Sequence, residues 1–194
     1  MRPQDIEDGR QISQAVVDAL RKEDAQFKGV LYTQLMCTKD GVKLIEFNAR
    51  FGDPEAMNVL SVLKTQFVEI LQSIADENLK TATFTEKATV VKYLVPTGYP
   101  EKPLADSEIN VDEKRIWDSG AKFYYASGYE KASRIYTTNS RAVAVVGLND
   151  TLQNAEEKAE EATEAVGGPL WHRRDIGTHS LVQKRVESMR RLRA

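Results

Sequence analysis

Cysteine and histidine are scarce in this sequence, which has one cysteine and two histidines in 194 residues. Cys37 has no second cysteine to pair with, so an intrachain disulfide is excluded, which fits a reducing cytoplasm. It lies late in a strand-like run, where a small core residue is a better interpretation than a reactive thiol. His172 and His179 have no histidine or cysteine cluster nearby, so a zinc site is not expected.

Long apolar runs and a strong charge imbalance are also missing. No apolar run approaches the ~20 residues needed to span a bilayer, and the first residues lack the apolar segment of a signal peptide. The net charge is −2 and the isoelectric point is about 5.8, so global electrostatics favour neither nucleic acid nor a membrane surface as partner. We therefore expect a cytoplasmic globular protein.

The first part of the chain predicts a helix followed by a β-hairpin. Apolar residues recur at helical spacing over residues 5–22. Two β-rich runs follow, 30–38 and 42–47, and Asp40-Gly41 lies between them. An Asp-Gly turn between two such runs is a strong hairpin signal.

A second helix is predicted after the hairpin. Asp53 is expected at its N-cap and Pro54 at its first position, and an apolar stripe continues it to about residue 75 with one buried face. The polar, threonine-rich residues 76–86 then suggest a domain boundary, which divides the chain into residues 1–80 and 81–194.

The second part is rich in β-structure. Strands are predicted over residues 88–95, 122–126, 133–137 and 142–147, with an irregular stretch after the first of them. Asp150 and Gln153 form a plausible capping box for a helix that Gly167-Gly168 ends. The tail over residues 180–194 is basic and could be helical, and we interpret it as a solvated helix face.

The chemistry that the sequence offers is concentrated between residues 44 and 55. Glu46 and Asn48 are two apart on a strand, so they point to the same face, about 7 Å apart. A carboxylate and an amide oxygen suit Mg²⁺, which takes its remaining ligands from phosphates and water. A bare pair of this kind is more often the polar face of an edge strand. Here, however, Arg50 follows, and a helix N-terminus that favours anions comes directly after it.

The string Glu-Phe-Asn-Ala-Arg-Phe-Gly-Asp-Pro-Glu at residues 46–55 resembles the phosphoribosylamine–glycine ligases of the ATP-grasp superfamily. Residues 29–32, 149–152 and 173–177 match the same family in the same order. Other ATP-grasp ligases usually continue differently after Asn-x-Arg. The resemblance implies an α+β fold: the C-terminal part of an ATP-grasp domain, with an antiparallel hairpin and helices, then a small mixed β/α C-terminal domain.

The resemblance also implies a reaction. With ATP and Mg²⁺ (or Mn²⁺), the carboxylate of glycine would be phosphorylated, and the amine of 5-phosphoribosylamine would displace the phosphate. Glu46 and Asn48 would then be the metal ligands. Arg50 would be the catalytic cation that neutralises the transferring phosphoryl group.

Three further residues would contact the nucleotide or substrates if the resemblance holds. Leu44 would lie near the adenine. Asp53 would face the glycine or phosphate region, although a plain N-cap role is at least as expected. Gln34, on the first hairpin strand, would face the nucleotide, and a metal role for its amide is less expected.

The sequence departs from the family in two respects. Glu101 follows Gly98-Tyr99-Pro100, where the family usually has glycine. The family's N-terminal substrate domain and phosphate-binding lysine have no counterpart in the chain, so we expect a C-terminal fragment whose partner is the missing part. Such a fragment would be inactive alone and would expose apolar surface on residues 30–38 and 54–75, which favours self-association. Two alternatives remain: another ATP-grasp ligase, or a non-catalytic subunit that completes a split ligase.

Overall fold

The computed structural model describes residues 2–193, which form two compact units. The first contains the residues up to 56, residues 63–84 and the residues from 183 onward, and the second contains residues 57–62 and 85–182. The fold is α+β, and every strand pairing among the described residues is antiparallel. No helix in this range is long and apolar enough to cross a membrane. The domain division after residue 80 stays a prediction.

The first unit is built on one helix and one hairpin. Helix α1 (Pro3–Lys22) and strands β1 (Tyr32–Thr38) and β2 (Gly41–Asn48) form where the sequence predicts a helix and a hairpin, and α1 packs on both strands. Gly9 leaves room for the side chain of Leu35 where α1 meets β1, because a Cβ there would lie 2.6 Å from Leu35 Cδ1 and the leucine would have to shift. In the turn, Gly41 has a φ of +92°, a conformation that favours glycine.

The second predicted helix is two helices. Helix α2 (Glu55–Val62) ends where Leu63 forms an isolated antiparallel bridge with Phe84, and helix α3 (Phe67–Ala75) follows. A backbone that pairs as a strand at Leu63 cannot continue the helical hydrogen bonds, so the prediction of one helix is wrong. The predicted buried face is wrong too, because neither helix has a buried residue. Val68 is 73% exposed and Leu71 is 46% exposed.

Residues 85–178 of the second unit form two four-stranded sheets and two helices. Along the chain its elements are β3 (Ala88–Pro96), β4 (Glu108–Val111), α4 (Glu113–Asp118), β5 (Lys122–Tyr125), β6 (Gly128–Lys131), β7 (Arg134–Thr137), β8 (Val143–Asn149), α5 (Leu152–Thr163), β9 (Val166–Gly167) and β10 (Leu170–Trp171). The strand orders are β10-β3-β8-β5 and β6-β7-β4-β9.

The core of this unit lies where α5 covers β3 and β8. Ala155 and Ala159 pack on Val90, and Val143 and Val145 belong to the neighbouring apolar cluster. The small alanine side chains let α5 approach the sheet closely.

Two predictions in the second unit are wrong in detail. The N-cap of α5 is Thr151, whose hydroxyl accepts a hydrogen bond from the Asn154 N–H at 3.1 Å, and not Asp150. The stretch expected to be irregular contains β4 and α4. Helix α4 is capped by Asp112, whose side chain accepts a hydrogen bond from the Arg115 N–H at 3.0 Å.

Helix α6 (His179–Arg193) confirms that the basic tail is helical as far as the described residues extend; residue 194 lies outside them. The interpretation of the tail as a solvated face is wrong for Arg193. Its Nη2 donates to Oδ2 of the buried Asp5 at 2.8 Å. Charge pairing across 188 residues of sequence is not visible in a local pattern.

Candidate metal and phosphate site

The end of β2 carries the two residues expected to bind metal. Glu46 pairs with Gln34 across the hairpin, and Asn48 pairs with Tyr32. The Nδ2 of Asn48 donates a hydrogen bond to Oε1 of Glu46 at 2.9 Å. Their side chains therefore lie on one face of the hairpin, where Glu46 is exposed and Asn48 is half-buried. This is the geometry that the Glu-x-Asn spacing predicts.

These side chains fit a magnesium ion as part of its ligand shell. Glu46 offers carboxylate oxygens, and Asn48 offers an amide oxygen once its side chain turns Oδ1 rather than Nδ2 toward the metal. Among the described residues no group of three or more histidine, cysteine or acidic side chains could hold a metal ion. A hard cation bound here would therefore need further oxygen ligands, which is the way Mg²⁺ is held with nucleotide phosphates.

Gln34 lies beside this pair. It is the cross-strand partner of Glu46 and is exposed, so its amide reaches the same solvent-facing surface. An amide is a weaker ligand for a hard cation than a carboxylate. A polar contact to a nucleotide or its phosphates suits Gln34 better than metal binding.

Leu44 is not brought to the same face. The pairing register shifts between Gln34 and Leu35, so that Leu44 is the partner of Leu35 while Glu46 is the partner of Gln34. Adjacent residues of a strand point to opposite faces, and Leu44 therefore lies on the side of Leu35, which packs against α1. The irregularity at Ile45 is a β-bulge, which changes the alternation that the sequence suggests. The role of Leu44 near an adenine stays a prediction, and this register does not favour it.

Arg50 and Asp53 lie in the loop that leaves β2. The guanidinium of Arg50 is exposed, and its Nη1 donates to the Phe51 carbonyl at 2.8 Å. Asp53 is exposed but is not the N-cap, because the helix begins at Glu55 and Pro54 occupies the capping position without a side-chain bond. The predicted Asp53 cap is wrong: the turn closes instead through the Ala56 N–H, which donates to the Gly52 carbonyl at 2.8 Å.

Tyr32 and Glu55 are in contact beside the candidate metal ligands. The sequence motifs predict no role for this contact. The Tyr32 hydroxyl donates to Oε1 of Glu55 at 3.2 Å. Burial raises the pKa of Tyr32, and the charge and hydrogen bond of Glu55 and the charge of Glu46 raise it further, while the Arg50 guanidinium acts in the opposite direction. The tyrosine hydroxyl thus lies within the electrostatic reach of three charged residues, which belong to β2, the following loop and α2. Its position two residues before Gln34 was the available sequence signal.

The Arg-Arg-Asp segment at residues 173–175 of the second unit contains an internal ion pair. Arg173 makes a two-bond contact with Asp175 through Nε at 3.0 Å and Nη2 at 2.7 Å. The Arg174 carbonyl accepts a hydrogen bond from Nζ of the buried Lys92 at 3.1 Å. Nε2 of His172 lies 3.0 Å from Oε2 of Glu160. These contacts explain the segment as part of the packing on α5.

Comparisons with known proteins identify the same family as the sequence motifs. The model of the family "Phosphoribosylglycinamide synthetase, ATP-grasp (A) domain" matches residues 2–56, and the model of "Phosphoribosylglycinamide synthetase, C domain" matches residues 89–179. Together they cover more than half of the chain, in the order that the resemblance implies.

Curated relatives match along nearly the whole chain. A phosphoribosylamine–glycine ligase of Methanothermobacter thermautotrophicus is 54% identical over 98% of this chain, and one of Methanocaldococcus jannaschii is 48% identical over 100% of it. The chain spans 44% of the length of each of these relatives.

A solved structure supports the same assignment. The crystal structure of a phosphoribosylamine–glycine ligase from Thermotoga maritima superposes on 90% of this chain and 44% of its own, with a TM-score of 0.78 and 25% identity. The resemblance and the α+β fold expected from the sequence are thereby confirmed. The chain belongs to the phosphoribosylglycinamide synthetase family, whose members are also named phosphoribosylamine–glycine ligases.

Proposed function

We propose that this chain is part of an ATP- and magnesium-dependent ligase that joins glycine to 5-phosphoribosylamine. In the reaction, ATP phosphorylates the glycine carboxylate to glycyl phosphate and leaves as ADP. The amine of phosphoribosylamine then forms the amide bond and phosphate leaves. The observation that carries the proposal is that the side chains of Glu46 and Asn48 lie together, joined by a hydrogen bond, at the end of β2 and directly before the loop that carries Arg50.

The proposal gives each candidate site residue a role. Glu46 and Asn48 hold the cation, which supplies charge neutralisation to the nucleotide phosphates when bound. Arg50 is solvent-exposed, so its guanidinium can turn from the Phe51 carbonyl to a phosphoryl or acyl phosphate oxygen, where a fixed cation lowers the barrier most. Gln34 faces the nucleotide, and Asp53 faces the glycine or the phosphate groups.

Ligase activity is expected only together with the part of the family's length that this chain does not span. One carboxylate and one amide supply only part of a magnesium ligand shell, and the other ligands and the phosphate-binding residues must come from elsewhere. Isothermal titration of MgATP into the isolated chain should therefore show no binding in the micromolar range. Micromolar affinity would contradict this part of the proposal.

The activity itself can be tested in a fused ligase, in which the upstream part of the Methanothermobacter relative is joined to this chain at the start of their aligned region. With ATP, glycine and phosphoribosylamine the fused ligase should release ADP and phosphate and form glycinamide ribonucleotide in equal amounts. ADP release should stop when either glycine or the amine is omitted. The relative's own intact ligase is the matched control. Glycine-independent ADP release, or none at all while the control is active, would contradict the proposal.

A further inference from the structure

Tyr32 and Glu55 are joined across 23 residues of sequence beside the candidate metal site. Tyr32 pairs with Asn48 and Gln34 pairs with Glu46, so all four side chains share one face of the hairpin. The Tyr32 hydroxyl donates to Oε1 of Glu55 at 3.2 Å. Tyr32 is half-buried, so its ring is fixed by packing as well as by this bond.

Gly52 makes this contact possible. The Glu55 carboxylate turns back over the loop, and a Cβ on Gly52 would lie 2.5 Å from Oε2 of Glu55 and 3.1 Å from Cε2 of Tyr32. A side chain at this position would displace the carboxylate, because a Cβ atom does not approach an oxygen so closely. Gly52 is buried, and its carbonyl accepts the first hydrogen bond of α2 from the Ala56 N–H.

Tyr32, Gly52 and Glu55 connect the hairpin, which carries the candidate metal ligands, to the start of helix α2. Tyr32 is the neighbour of the metal ligand Asn48 in the hairpin, and Glu55 is the first residue of α2. Between them the chain runs through the loop that carries Arg50. A bond from hairpin to helix therefore fixes both ends of that loop.

We propose that Tyr32 and Glu55, packed over Gly52, are positioning residues that hold the Glu46–Asn48 ligand pair in place for a nucleotide-bound divalent cation. This rests on the proposed function. Glu55 acts here through the tyrosine hydroxyl, and it is not itself a metal ligand. The task of Tyr32 is to fix Asn48, since the two side chains are direct cross-strand neighbours.

The test uses the fused ligase and Mn²⁺ as the probe, in the presence of a non-hydrolysable ATP analogue. Free Mn²⁺ is counted by its electron paramagnetic resonance signal, so the affinity is measured without turnover. Tyr32→Phe and Glu55→Ala should each weaken Mn²⁺ binding about three- to tenfold, which is the effect of losing one hydrogen bond. The double variant should be no weaker than the weaker single variant, because both remove the same contact.

Two further variants separate positioning from other roles. Glu55→Gln keeps an oxygen that can accept the tyrosine hydrogen bond, so it should retain more affinity than Glu55→Ala. Tyr125→Phe is the matched control, because the Tyr125 hydroxyl also donates to a glutamate, Glu113, at 3.2 Å, but in the second unit. It should bind Mn²⁺ as the parent does.

Several results would overturn the inference. Unchanged affinity in Tyr32→Phe would mean that the contact does not act on the ligands. Additive losses would mean two independent effects, and equal losses in Glu55→Gln and Glu55→Ala would mean that the charge of Glu55, and not its hydrogen bond with Tyr32, supports metal binding. An equal loss in Tyr125→Phe would show only a general effect on folding. Failure of the proposed function is distinguishable, because it would abolish glycine-dependent ADP release in the parent and leave the Mn²⁺ pattern as expected.

Discussion

Lys92 has the most completely buried charged side chain in the described range, with 1% of its surface exposed. Its Nζ donates to Oε1 of Glu156 and to Oε2 of Glu160, both at 2.6 Å, in addition to the Arg174 carbonyl. A buried cation is tolerated only when it is paired and hydrogen-bonded, and removal of one partner leaves the others with an uncompensated charge. The group therefore ties β3, α5 and the segment after β10 to one another.

Lys92→Met should lower the free energy of unfolding of the second unit. We expect a loss of about 2–3 kcal/mol, below the range for fully buried pairs because the Glu160 side chain is 33% exposed. Both tryptophans, Trp117 and Trp171, lie in this unit, so urea unfolding followed by tryptophan fluorescence reports on it. The control is Lys114→Met, which removes an exposed pair with Asp118 and should cost less than about 0.5 kcal/mol. Similar losses in the two variants would contradict the role of burial.

The same cluster predicts a dependence on pH. Burial alone raises the pKa of Glu160, but the hydrogen bonds and positive charges of Lys92 and His172 outweigh it and lower the pKa below its usual value of 4.5. A lowered pKa stabilises the folded state above that value, and this stabilisation is lost as the pH falls through the folded-state pKa. The free energy of unfolding should fall from about pH 5 to about pH 3, and it should fall less steeply in Glu160→Gln. Glu157→Gln, an exposed position on the same helix, should follow the parent.

Local sequence shows a residue's chemistry more readily than its partners. The Glu46–Asn48 pair follows from strand periodicity, because the two residues are only two positions apart. Tyr32 and Glu55 are 23 residues apart, and Lys92 and Glu160 are 68 apart. No local pattern predicts contacts over such separations, so the sequence did not indicate that these residues are partners.

At the scale of elements, the helix after the hairpin shows where periodicity fails. The apolar spacing from Met57 to Ile74 is helical throughout, yet the helix breaks at Leu63, where a bridge to Phe84 takes over. A tertiary pairing thus overrides a local preference. The hairpin and α1, whose signals are local, were predicted within two residues of their observed ends.

Strand β8 and helix α5 pack closely at Gly147, and this contact gives a direct prediction. A Cβ on Gly147 would lie 1.9 Å from the Ala155 carbonyl oxygen and 2.7 Å from the Ala159 nitrogen. Gly147→Ala should therefore push α5 from the sheet and cost about 3 kcal/mol or more, at the upper end of overpacking effects. Gly167→Ala is the control, since its nearest atom would be 3.9 Å away. Equal melting temperatures of Gly147→Ala and the parent would contradict the close contact.

At the scale of the whole molecule, the first unit exposes large apolar side chains on both a helix and the hairpin. On α3, Phe67, Val68 and Leu71 are exposed, and Met36, Leu44 and Ile45 are exposed on the hairpin. A two-stranded hairpin is at best marginally stable without further cover. This agrees with the exposed surface expected over residues 30–38 and 54–75.

The isolated chain should therefore self-associate, because contiguous exposed apolar surface favours contact between copies. Sedimentation velocity should show a mass that rises with protein concentration. The double substitution Val68→Lys and Leu71→Lys should shift the chain toward the monomer, whereas Gln72→Lys, an exposed polar position on the same helix, should not. A monomer at all concentrations would contradict the prediction.

The central claim is that Glu46 and Asn48 hold the magnesium ion of a ligase that uses ATP. The most direct measurement is the Mg²⁺ dependence of glycine-dependent ADP release by the fused ligase and its Glu46→Ala variant. The claim predicts that Glu46→Ala lowers kcat/KM for MgATP by about a hundredfold or more and raises the half-saturating Mg²⁺ concentration. Lys43→Ala, an exposed position on the same strand, should leave both unchanged. A Glu46→Ala variant with the parent's kcat/KM and Mg²⁺ dependence would contradict the claim.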